Sequence, residues 1–172
     1  DQAGAAKATC AHEFHHAVQF AYDPGEDLWW IELDATHIED LVYDHTDDNY
    51  GYLPGFFNYP EKSLMENTGH AYSSFIYGIF LAEWFDTSLQ LAAWEGARYT
   101  SIFTALTDTL MGRYGWTMDS AAAEFSVWNY ITDTRDDGLH YEETYPYSVK
   151  IGRSHSNYPV NLLTSPYNPA GY

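Results

Sequence analysis

The chain has 172 residues, with 25 Asp and Glu against 7 Lys and Arg, and so carries a net charge of −18 with histidine counted neutral. Seven cations under that excess cannot neutralise a phosphate backbone or hold an anionic bilayer surface, which excludes nucleic acid and membrane as partners. Because 45% of residues are apolar and 18% aromatic, the chain can bury a core, and no window approaches 18 unbroken apolar residues; one compact domain is expected.

In chain order, residues 5–22 form a predicted helix, with Ala11, Phe14, Ala17, Val18 and Ala21 at helical spacing and a stop at Tyr22-Asp23-Pro24-Gly25. Asp27 is placed to cap a second helix over 28–42, where Leu28, Ile31, Ala35, Ile38, Leu41 and Val42 recur every three or four residues. Residues 49–67, with Gly51, Pro54, Gly55 and Pro60, read as a connecting loop with room for a short helix. Further helices are predicted over 70–85, 88–98, 100–114 and 117–132. Beyond Gly138 the sequence turns Tyr-, Ser- and Asn-rich with four prolines, which predicts extended, loosely packed chain. The expected fold is mainly α: a helical domain over 1–145, then an extended, loop-rich tail over 146–172 that packs on the domain or leaves it.

The first helix contains His12-Glu13-Phe14-His15-His16, an HExxH sequence. Residues four apart share a helix face, so His12 and His16 can present two imidazoles to one metal ion while Glu13 sits alongside as a base. Zinc suits imidazole, and a catalytic site needs a third protein ligand. No glycine and histidine follow His16 at the spacing of the metzincins; the candidate is Glu32, sixteen residues later on the next helix. Ala35, one turn on, allows the two helices to approach closely. Glu39, two turns after Glu32, reads either as a hydrogen-bond partner of a ligand histidine or as an ordinary solvated acid. His15 has the wrong angular position for the pair and reads as a solvent-facing or supporting group.

The runs Thr9-Cys10-Ala11-His12-Glu13-Phe14-His15-His16-Ala17-Val18-Gln19-Phe20 and Trp29-Trp30-Ile31-Glu32, with later blocks at His70-Ala71-Tyr72-Ser73-Ser74-Phe75-Ile76 and Phe125-Ser126-Val127-Trp128-Asn129-Tyr130, resemble a family of secreted zinc metalloproteases. The family is of the gluzincin kind, HExxH plus Glu, and is found in myxobacteria and other environmental bacteria. The resemblance implies a zincin-like catalytic subdomain, the HExxH helix packed on a Glu-bearing helix. It also implies His12, His16 and Glu32 as ligands, Glu13 as general base and an extracellular location. This chain has Leu33 where family members usually carry Gly, and His37 where they carry a bulky aromatic residue. The family places a β-sheet before the HExxH helix, so the sheet is expected in a longer precursor, or else the helical part stands alone.

Tyr72 and His70, at the start of the third predicted long helix, are candidate donors to a developing oxyanion. Asp133-Thr134-Arg135-Asp136-Asp137-Gly138 reads as a turn rather than a calcium loop, because Arg135 stands at a ligand position. Calcium could bind loosely at Asp44 to Asp48. Cys10, among small residues, is expected to be a buried thiol; being the only cysteine, it supports neither a disulfide nor a Cys-based zinc site. The expected function is a zinc-dependent peptidase acting on peptide or protein substrates. The alternative is a secreted, self-assembling module that keeps the zincin-like fold, with or without metal, and forms a homo-oligomer through an aromatic-rich surface.

Overall fold

A computed structural model describes residues 2–149, and among these the fold is mainly α-helical with no strand. Eight helices succeed one another: α1 (Gln2–Tyr22), α2 (Leu28–Tyr43), α3 (Leu53–Phe57), α4 (His70–Ser73), α5 (Phe75–Trp84), α6 (Ser88–Ala97), α7 (Ile102–Thr109) and α8 (Met118–Tyr130).

α5 is the centre of the core. Every residue from Phe75 to Leu81 is buried, and a helix that is apolar all round can only be stable when enclosed. α2 lies against α1, α4 and α5, presenting Trp29, Trp30, Ile31, Leu33 and Ala35 to the interior. α6 packs on α7 and α5, and α8 closes the core with Phe125 and Trp128 against Phe80.

The helix ends follow from local chemistry. After α1, Pro24 stops the helix and the Asp23 carboxylate accepts from the Gly25 amide at 2.8 Å. Asp27 is the residue before α2, but its side chain makes no cap; its carbonyl accepts the first helical amides instead. The expected helix over 70–85 is broken at Ser74, which is fully buried and donates its hydroxyl to the His70 carbonyl. The helix expected over 100–114 starts at Ile102, capped by Ser101, and widens into a π-turn over Leu110–Tyr114. Gly115, at φ 70°, ends it in the left-handed conformation that glycine adopts without strain. The stretch expected as a loop after residue 48 winds into a 3₁₀ turn at Asp48–Tyr52 and then α3.

From residue 139 to 149 the chain is irregular, as expected, but not loosely packed. Tyr141 and Tyr145 are buried in the core, and Tyr147 and Val149 pack against it. Residues 150–172, most of the expected tail, lie outside the described residues.

Candidate metal centre

α1 and α2 run antiparallel across the short 23–27 turn, so His12 faces Glu32 and Glu39 while Gln19, two turns on, faces Ile31 and Asp34. His12 and His16 stand one turn apart with ring centroids 4.6 Å from each other, edge to face. Together with Glu32 they offer three ligand atoms within 4.8 Å of one another. Glu32 Oε2 lies 3.2 Å from His12 Nε2 and 3.7 Å from His16 Nε2. A tetrahedral ion with bonds of about 2.0–2.1 Å separates its ligand atoms by about 3.3–3.4 Å, so the cluster could hold a metal ion, and its donor set suits zinc.

Glu39 is buried and makes the hydrogen bond, accepting from His12 Nδ1 at 2.7 Å. With a carboxylate on each ring nitrogen, His12 is pushed up to about 9: burial works against the charge, and the hydrogen bonds to Glu32 and Glu39 outweigh it. Its second proton, on Nε2, points at Glu32; a divalent cation would take that proton's place. Burial would raise Glu32, but the His12 hydrogen bond and the nearby Tyr72 and His16 outweigh it and hold Glu32 below the ordinary carboxylate range.

Tyr72 stacks on the His12 ring, centroids 5.9 Å apart, with its phenol near Glu32. Burial, aided by Glu32, raises that phenol to about 12, so it stays a proton donor throughout the neutral range. Tyr52 leans on Tyr72 at 5.4 Å and Phe20 stacks on His16 at 6.1 Å, giving the site an aromatic rim. Glu13 is exposed beside His12, on the side where its charge acts on Tyr72. His70 is not brought to the site. Two residues before Tyr72 on one helical turn, it points elsewhere and stacks on Phe56, with centroids 6.0 Å apart, where burial lowers its pKa.

Beside His12, His16 and Glu32 lies a polar layer that the sequence reading did not assemble. His15 is not turned to solvent: its Nε2 donates to Asp34 Oδ2 at 2.6 Å. Trp94 Nε1 donates to the same oxygen at 2.7 Å and Gln19 Nε2 at 3.2 Å. Burial favours the neutral acid, yet these donors outweigh it and hold Asp34 below the usual range. Gln19 also donates to the Ile31 carbonyl at 2.9 Å and accepts from His16 Nδ1 at 2.8 Å. The signal available in the sequence was spacing alone: Gln19 follows His16 by three residues and shares its helix face.

Of two other expectations, the first fails and the second holds. Cys10 is exposed, not buried. Asp133–Arg135 is a 3₁₀ turn, and Asp136 and Asp137 are occupied by the Gly138 and Leu139 amides, as in a turn.

Compared with known proteins, the chain matches no family model, and no curated protein or solved structure is found similar to it.

Proposed function

We propose that the chain is a zinc-dependent peptidase, with His12, His16 and Glu32 holding the ion and Glu13 acting as general base. The observation that carries the reading is the convergence of two imidazole nitrogens and a carboxylate oxygen, at 3.2 and 3.7 Å, on one face of the α1–α2 pair. Zinc bound there would supply a Lewis acid that activates water and polarises the scissile carbonyl.

The chain's own residues do the rest. Glu39 holds His12 with Nδ1–H turned inward, which leaves Nε2 to face the ion. The exposed Glu13 carboxylate, next in sequence to His12, accepts the proton of the attacking water and returns it to the leaving nitrogen. The Tyr72 phenol, neutral at working pH, donates to the carbonyl oxygen as negative charge develops on it. The excess of 18 negative charges favours peptides rich in Lys and Arg.

The test pairs metal analysis with one substitution. The chain is expected to take up one zinc and to cleave a basic peptide, and Glu13→Gln is expected to keep the zinc while losing the cleavage. A chain that takes up no zinc, or cleavage unchanged by Glu13→Gln, would overturn the reading.

A further inference from the structure

We infer that Gln19, anchored from below by Asp34, is a positioning residue that fixes His16 in the tautomer with the proton on Nδ1 and the lone pair on Nε2. The inference concerns the chain itself, and its meaning for metal binding rests on the reading above.

The argument is one of donors and acceptors. A glutamine amide has an NH₂ that only donates and an oxygen that only accepts, so its orientation is decided by its neighbours. The Gln19 nitrogen faces two groups that can only accept: the Ile31 carbonyl at 2.9 Å and the Asp34 carboxylate at 3.2 Å. Turning the amide over would set its oxygen against both, inside the protein, where Gln19 is 1% exposed and Asp34 2%. The oxygen is therefore the atom 2.8 Å from His16 Nδ1, and an acceptor there requires that Nδ1 carry the hydrogen. In the neutral ring Nε2 is then the lone pair, on the side turned to Glu32.

Asp34 keeps this arrangement in place because its Oδ2 is also held by His15 Nε2 at 2.6 Å and Trp94 Nε1 at 2.7 Å. Those two donors come from α1 and α6, so the carboxylate that orients Gln19 is tied to two other helices. The second histidine inside the HExxH run, His15, thus acts on the site through the interior rather than as a ligand. His12 and His16 keep a proton on Nδ1 by different means: His12 through the charged acceptor Glu39, His16 through a neutral amide locked by a buried charge.

The full chain, labelled with ¹⁵N-histidine and treated with a chelator, is examined by long-range ¹H–¹⁵N correlation at pH 7.5. His16 is expected in the Nδ1–H form; His16 predominantly in the Nε2–H form would overturn the inference. Gln19→Ala is expected to release His16 into a mixture of tautomers and to weaken zinc affinity, measured by chelator competition, by about 10–100-fold. Gln19→Glu, which offers an acceptor to His16 but repels Asp34, is expected to retain the His16 tautomer better than Gln19→Ala does. A His16 tautomer unchanged in Gln19→Ala would show that Gln19 does not set it. If the wild-type chain takes up no zinc, the peptidase reading fails, while the metal-free spectrum still decides the role of Gln19.

Discussion

His12 is where the charges of the site meet: it is 7% exposed, with Glu39 on one ring nitrogen and Glu32 on the other. Its pKa of about 9 against an ordinary 6.5 means that the folded, metal-free chain binds this proton more tightly than the unfolded chain does. The stabilisation is complete below pH 6.5 and is lost as pH rises through about 9. Thermal melts of the chelator-treated chain from pH 6 to 10 should therefore fall across that window, and less steeply in Glu39→Gln; equal slopes would contradict the assignment. Zinc uptake should run the other way, strengthening with pH as the competing proton leaves. At this scale the sequence showed what depends on spacing along one helix, the pair His12 and His16. It could not decide between Tyr72 and His70, because the roll of a four-residue helix is set by what it packs on. Nor could it find Asp34, whose three donors come from residues 15, 19 and 94.

At the scale of elements, α1 inverts the usual reading of amphipathicity. Its apolar residues recur at helical spacing, yet Phe14 is 73% exposed and Ala17, Val18 and Ala21 are exposed as well, whereas His12 and Gln19 are buried. Periodicity identifies a face but not the side that is buried; here the inward face, Ala8 apart, is polar because its groups satisfy one another across the α1–α2 seam. Phe14→Ser should accordingly change stability by less than about 0.5 kcal/mol in urea denaturation. Gly96→Ala should do far more. A methyl there would stand 2.9 Å from the Ala105 side chain where α6 and α7 touch, and forcing the helices apart costs about 1–3 kcal/mol. A larger loss for Phe14→Ser than for Gly96→Ala would mean that the outer face of α1 is covered in solution. The helix content and most boundaries were legible in the sequence, since stops such as Pro24 act locally, while the side-chain caps at Ser101 and Thr117 were not read. The break at Ser74 was not, because it serves the packing of α4 on α2.

Across the whole molecule the acidic excess is unevenly tolerated. Asp40 is raised to about 6, by burial first and then by Glu143, Asp44 and Asp47 around it. A carboxyl raised on folding stabilises the fold while protonated and ceases to do so as pH climbs through about 6. Asp40→Asn keeps the acceptor that Asn49 uses at 3.0 Å and removes the charge, so it should raise the melting temperature at pH 7.5 and make little difference at pH 4. A lower melting temperature at pH 7.5 would refute this. The α1–α2 pair carries a last consequence, in the order of events during folding. All three proposed ligands fall within residues 12–32, so the loop they close is short and its closure entropy small. Contacts this local form early, ahead of the docking of α5 and α8 that completes the core. Zinc present during refolding should therefore meet an assembled hairpin in the transition state and raise the folding rate more than it slows unfolding, a partition that a chevron plot with and without zinc would measure.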